Sequence, residues 1–286
     1  MSSVPPPSPP ALPLSPKVGL ILTGGGARAA YQVGVLRAIA AMLPEGARNP
    51  FPIICGTSAG AINATSLAVS ATDFHEGVRQ LAAVWENFHV HQVYRADPVG
   101  ALSNSTRWLA SLLLGGLGKH SAVSLLDNAP LAQLLERSLP FRGIQHGIDA
   151  GALHALSLTA SGYTSGQSVT FYQGVDSITP WRRARRVGIA SRIGVEHLMA
   201  SAAIPFLFPA VKLHREYFGD GSMRQLAPIS PALHLGAERV LVIGVRKPVD
   251  ASPARVKVAH YPPLAQIAGR PRDAQPMRPP RSSFRG

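Results

Sequence analysis

The first clear pattern along the chain is Val18–Thr23, a continuous apolar run (VGLILT) that stops on three glycines. Short runs apolar on both faces are the mark of strands buried in a parallel sheet. From Ala27 the period changes: Ala30, Val33, Leu36, Ile39, Ala40 and Leu43 recur at helical spacing until Pro44 and Gly46 end it. The same succession of strand, tight turn and helix follows in FPIICG (51–56) and TSAGAINATSLAVS (57–70). Two such units in tandem predict an α/β fold built on a parallel sheet.

Residues 73–140 read mainly as helices, with Asp127 as the N-cap of NAPLAQLLERSL. Later strands are expected at HALSLTASGY (154–163), SVTFYQG (168–174) and RVLVIGV (239–245), and no internal repeat is visible. The apolar run Trp108–Gly118, between Arg107 and Lys119, has about half of the ~20 residues a spanning helix needs. No transmembrane segment is predicted.

With 46% apolar and 15% charged residues, a 286-residue chain can bury a large core, and only its ends depart from that composition. Residues 1–16 hold seven prolines and lack the positive start of a secretory signal, so they read as a disordered leader. A catalytic-size domain over 17–247 follows, then a connector over 248–268 and a basic tail over 269–286 with five arginines against Asp273. The lone Cys55 rules out an internal disulfide framework and fits a reducing, cytoplasmic setting; its apolar neighbours predict a buried structural thiol. The net charge of +13 is concentrated in the tail and in Arg182, Arg183, Arg185 and Arg186, with Arg192 nearby. No nucleic-acid module or interleaved aromatic accompanies these arginines, so they read as solvated loop charge, with contact to an anionic membrane as the functional counterpart.

Candidate chemistry begins at Gly56-Thr57-Ser58-Ala59-Gly60. A strand that enters G-x-S-x-G and leaves as a helix must turn sharply, and Gly56 and Gly60 remove side chains that would clash there. The turn sets Ser58 at a helix N-terminus, where backbone N–H groups and the helix dipole favour developing negative charge.

Gly24, Gly25 and Gly26 have two readings. Gly24-x-Gly26-x-x-Ala29 satisfies a dinucleotide fingerprint, but that site needs an acidic residue at the end of the second strand, where Gly56, Thr57 and Ser58 stand; Glu45 precedes that strand. The other reading is an oxyanion hole made of consecutive backbone N–H groups. Both glycine loops follow parallel strands and so emerge at the same sheet edge.

A serine nucleophile needs a base. The order serine, acid, histidine of an α/β-hydrolase leaves only His234, within the apparent helix SPALHLGA, and His260, in a polar connector. The other candidate is Asp220, which Gly219 and Gly221 flank at the end of an apolar stretch, although Asp-Gly alone is commonly a simple turn. The chain has no H-E-x-x-H or paired C-x-x-C; GGLGKH lacks the first glycine and the Ser/Thr of a P-loop, and His89-x-His91 alone makes no metal site. No metal or organic cofactor is called for.

Taken together, LTGGGARAAYQVGVL, GTSAGAINA, ASAAIPFLFPAV and YFGDGS resemble the patatin-like phospholipase family, in that family's order and over Lys17–Val245. The resemblance implies a three-layer α/β/α fold with a mainly parallel central sheet and a serine–aspartate dyad that cleaves acyl esters of lipids. It makes Ser58 the nucleophile and Asp220 its base, gives the oxyanion donors to Gly24, Gly25 and Gly26, and matches Arg28 to the basic residue of that loop. Gly221 and Ser222 complete the Asp-Gly motif. Three features depart from the family: Ala29 stands where glycine is usual, Ser222 where Gly or Ala is commoner, and after YPPLAQIAG the chain continues as RPRDAQPMRPPRSSFRG without helical periodicity. The last suggests a truncated or frameshifted C-terminus and, with it, a catalytically impaired lipid-binding paralogue as the rival to an active enzyme.

Overall fold

The computed structural model describes residues 16–87, 124, 126–225 and 227–245. Residues 1–15 of the leader, the run 108–118, His89, His91, the P-loop-like segment, His260, the connector and the tail all lie outside them.

Both strand–turn–helix units form as the pattern predicts. β1 (Val18–Leu22) runs through the glycine loop and a 3-10 turn (Gly26–Ala29) into α1 (Ala30–Ala41). β2 (Ile53–Thr57) turns at Ser58 into α2 (Ala59–Val69). α3 (Phe74–Glu86) follows, its N-terminus capped by Asp73, whose carboxylate accepts from Glu76 N–H at 3.0 Å. α4 (Ala129–Ser138) starts a residue later than its sequence suggests. Asn128 holds the cap position, and Asp127 accepts instead from Ala129 N–H at 2.9 Å. α5 (Arg142–Asp149) then leads to β3 (Ala155–Gly162) and β4 (Ser168–Gly174).

The rest of the chain adds elements that period alone does not reveal. A short hairpin, β5 (Trp181–Arg183) and β6 (Arg186–Ala190), precedes α6 (Val195–Ala202). A second hairpin, β7 (Val211–Leu213) and β8 (Glu216–Asp220), carries the candidate carboxylate on its last residue. α7 (Ser230–His234) and β9 (Arg239–Ile243) end the described region.

The strands are ordered β5-β6-β4-β3-β2-β1-β9, with β8 hung on β3 and β7 on β8. The centre, β9-β1-β2-β3, is parallel throughout, and β4 joins β3 antiparallel. β1, β2 and β3 are buried almost without interruption, as a sheet covered on both faces requires. On one face Leu20, Leu22, Ile54, Leu156 and Leu158 pack with α1–α6; on the other Ile21, Ile53 and Cys55 meet Ala232 and Leu235 of the α7 region. The result is a three-layer α/β fold. Cys55 lies in the second cluster, where burial pushes its thiol up to about 12.

One register matters for function. Along β3, β4 occupies one side from Ala155 to Ser161; on the other side β2 runs to Thr57 opposite Thr159, and β8 enters antiparallel with Asp220 opposite Ala160. β2 and β8 therefore abut end to end on the same edge of β3. The residue after Thr57 and the last residue of β8 are brought together by a third strand that measures both.

Candidate active site

Ser58 has φ 55° and ψ −130°, a left-handed backbone that a non-glycine residue adopts only under constraint. The glycines around it are sterically required. A Cβ on Gly56 would come within 2.5 Å of Ala61 Cα and 2.6 Å of Gly60 O, and one on Gly60 would overlap Leu22 O. The elbow is therefore wedged between the end of β1 and the first turn of α2.

The serine hydroxyl donates to Asp220 Oδ2 at 2.6 Å, and both residues are buried. The other carboxylate oxygen, Oδ1, accepts from Ser222 N–H at 2.8 Å, and Asp220 N–H donates to Ala203 O at 2.8 Å. Gly221 permits this approach, since a Cβ there would overlap Thr159 O. The Tyr163 hydroxyl occupies the place a Gly219 side chain would need; burial raises its pKa, and the nearby Asp220 charge raises it further.

The glycine loop faces this pair. A Cβ on Gly24 would meet Ser222 Oγ at 2.5 Å and Ser58 Cβ at 2.9 Å, so the loop can lie against the nucleophile only as glycine. Gly26 has φ 55°, in the region glycine favours. Thr23 N–H is used by Ile243 O and Arg28 N–H by Gly25 O, and none of the loop's other hydrogen bonds among the described residues draws on Gly24, Gly25 or Gly26 N–H. Arg28 is exposed. Ala29, the departure from the expected glycine, is fully buried, and its carbonyl accepts from Asn63 Nδ2 at 3.1 Å.

Several residues that sequence reasoning did not single out hold these parts. Ser201 Oγ accepts Ser58 N–H at 2.9 Å and donates to Thr159 O at 2.6 Å, tying the strained elbow to β3. A buried amide relay fixes the glycine loop: Trp85 Nε1 donates to Asn63 Oδ1 (2.8 Å), and Asn63 Nδ2 donates to Gln32 Oε1 (2.9 Å). Gln32 Nε2 in turn donates to Thr23 O (2.8 Å) and Ile243 O (3.1 Å). Thr57 Oγ1 donates to Gln225 Oε1 at 3.1 Å beneath the elbow.

A cleft of about 540 Å³ opens on Ser58. Its walls among the described residues are mostly apolar: Ile62 of α2, Leu81 and Trp85 of α3, Leu131 and Leu135 of α4, and Phe208. Ile204 and Phe208 bring part of IPFLFPA into this lining, whereas Phe206 faces outward.

The histidine alternative finds no such geometry at His234. Its ring stacks on Trp181 at 4.8 Å and 17°, in the layer across the sheet from α2. Burial and the charges of Arg183 and Arg186 lower its pKa.

A mixed α/β sheet carrying a serine at a strained strand-to-helix turn, a carboxylate on its hydroxyl and a glycine loop against both defines the class of molecule. The chain belongs to the patatin-like phospholipase family, whose model matches residues 20–233. It is similar to a cGAMP-activated phospholipase of Pseudomonas aeruginosa, 28% identical over 217 residues, 75% of this chain and 55% of that protein. The chain thus spans about half the length of that curated relative. Among solved structures it is similar to VipD from Legionella pneumophila (TM-score 0.41, 15% identity, 73% of this chain and 46% of VipD). ExoU of Pseudomonas aeruginosa, solved with SpcU, is another (TM-score 0.31, 16% identity, 55% and 34%).

Proposed function

We propose that the chain is a serine lipid acyl hydrolase, a phospholipase or esterase that cleaves acyl esters through a Ser58–Asp220 dyad. The observation that carries this reading is the buried 2.6 Å hydrogen bond from Ser58 Oγ to Asp220 Oδ2 at the floor of an apolar cleft. Ser58 Oγ attacks the ester carbonyl carbon as its proton passes to Asp220. The carbonyl oxygen becomes an anion that meets the N–H groups of the Gly24–Gly26 loop, with the α2 N-terminus behind it. The C–O bond then breaks, and the leaving alcohol takes the proton from Asp220. Water, deprotonated by the same carboxylate, attacks the acyl-enzyme; the bond to Ser58 Oγ breaks, the serine recovers the proton from Asp220, and the fatty acid leaves. Ser222 N–H holds Oδ1 throughout, which keeps Oδ2 aimed at the serine.

An acyl chain suits the walls. A cleft of this volume lined by leucines, Ile62, Trp85 and Phe208 binds hydrocarbon by burying it, with roughly 0.8 kcal/mol gained per methylene. Peripheral contact with an anionic membrane belongs to the same reading.

The test is hydrolysis of short-chain p-nitrophenyl esters and of phospholipid vesicles by the wild type and by Ser58→Ala and Asp220→Asn. Both variants lose ester cleavage on this reading. Activity that survives Ser58→Ala refutes it.

A further inference from the structure

The Ser58 cleft has a direction. Ser58, Ile62 and Ser66 line it at successive turns along one face of α2, leading away from the nucleophile. α3 runs back along the same groove: Trp85 bonds Asn63, nearer the elbow, whereas Gly77 lies against Ser70 at the far end of α2, where a Cβ would be 3.0 Å from Ser70 Cβ. Leu81, between those two points, faces the groove. The third wall starts at the mouth, where Leu126 N–H donates to Leu207 O at 3.0 Å; α4 then supplies Leu131 and Leu135 and, just past its end, Leu139.

One end is open and the other is blind. Gly26, Ala27, Ala30 and Ile204 line the Ser58 end and are exposed. Ser66, Leu81 and Leu139 line the far end and are buried. One turn beyond Ser66, a Cβ on Gly143 of α5 would overlap Val69 O, so the backbone of α5 lies directly on α2 and stops the groove. Ser66 stands out here. It is 5% exposed, and its hydroxyl makes no hydrogen bond among the described residues. A buried polar group without a partner asks for an explanation, and a place at the end of an apolar channel supplies one.

The distance to that stop can be worked out. From Ser58 to Ser66 the helix rises about 12 Å. An extended chain advances roughly 1.2 Å per single bond, as the ~3.5 Å reach of a residue's three backbone bonds shows. We propose that the cleft measures acyl chains of medium length, with room for about ten carbons between the nucleophile and Ser66. The proposal rests on the lipid acyl hydrolase reading and names the chains that site takes. Chains up to this length gain burial with every methylene; the end of a longer one meets Ser66 and the α2–α5 contact, and its surplus carbons stay at the mouth.

The rival is a groove that continues sideways past Ser138, the last residue of α4, which lines the cleft and is exposed. Longer chains would then keep gaining.

The test uses the full chain carrying Ser58→Ala, which binds esters without cleaving them. Its affinity for the methyl esters of hexanoic, octanoic, decanoic, dodecanoic and tetradecanoic acids is measured by displacement titration. Affinity should rise about fourfold per methylene as far as decanoate and by no more than about twofold from there to tetradecanoate. Adding Ser66→Ala keeps a strong helix former and removes the unpaired hydroxyl. It should tighten decanoate severalfold and leave hexanoate, which does not reach it, unchanged. Adding Ser66→Leu should bring the break forward to octanoate.

The proposal is overturned if the gain continues undiminished through tetradecanoate, if octanoate binds no better than hexanoate, or if Ser66→Ala alters hexanoate and decanoate alike. The parent series decides the matter even where Ser66→Leu fails to fold. Binding is read without turnover, so a wild type that leaves every ester intact would refute the hydrolase reading and not this one. Wild-type cleavage with no break in the binding series would do the reverse.

Discussion

Replacing Ser201 with alanine removes one hydroxyl from a fully buried position and deprives two backbone groups at once. Ser58 N–H loses its acceptor and Thr159 O loses a donor, the bonds of 2.9 and 2.6 Å that fasten the elbow to β3. Leaving two such buried groups unpaired costs about 2–4 kcal/mol. For a domain of this size that lowers the unfolding midpoint by roughly 5–10 °C. The catalytic consequence is separate. Ser58 occupies a strained conformation, and without the clamp its hydroxyl drifts from Asp220; a displacement near 1 Å costs on the order of 100-fold in rate. Ser201 does not line the cleft, so KM for a short-chain ester should stay within about twofold while kcat falls about 10–100-fold. Ser201→Thr restores the hydroxyl but crowds a closed site with a methyl group. It is expected to recover kcat more fully than stability. Steady-state kinetics at a temperature well below the midpoint, beside thermal unfolding of both variants, makes the comparison. A Ser201→Ala protein with a lowered midpoint and unchanged kcat would refute the positioning role.

Gly24→Ala drives a methyl group into Ser222 Oγ and Ser58 Cβ; kcat should fall at least tenfold, and Ser222→Ala in the same chain should restore only part of it because the Ser58 contact remains. Trp85→Phe keeps an apolar wall but ends the indole donation to Asn63; a several-fold loss in kcat with little change in KM is expected, and loss confined to KM would contradict the relay. His197 is a pH marker: burial lowers its pKa despite the Glu196 carboxylate beside it, and its Nδ1 accepts Gly194 N–H. The unfolded chain therefore takes up that proton first as pH falls below ~6.5, so native stability declines there and His197→Gln should flatten that part of the stability–pH curve. Cys55, with its thiol pushed up to about 12, should ignore a thiol reagent at neutral pH until the protein is unfolded.

The two strand–turn–helix units were legible because their strands are buried on both faces and end on glycines that steric contact demands. The pairing of Ser58 with Asp220 was legible only through the resemblance: 162 residues separate them, and the register along β3 that joins them leaves no periodic trace. β5 and β7 escaped notice because each is three residues long and carries charge, as in WRR and VKL. Ser201 was hidden for another reason. Both of its bonds go to backbone atoms, whose identity no sequence records. Gln32 and Asn63 did leave a signal, a polar side chain among buried positions of helices otherwise packed with Val33, Leu36, Ala64 and Leu67. A buried amide in such a place has to find partners, and these two found the glycine loop.

Covalent trapping tests the central claim most directly. Wild-type protein incubated with a long-chain fluorophosphonate, digested and mapped by mass spectrometry should carry a single adduct on Ser58, and the rate of its formation should fall about 100-fold in Asp220→Asn. An adduct on another residue, or labelling of Ser58 at an undiminished rate in Asp220→Asn, would contradict the dyad.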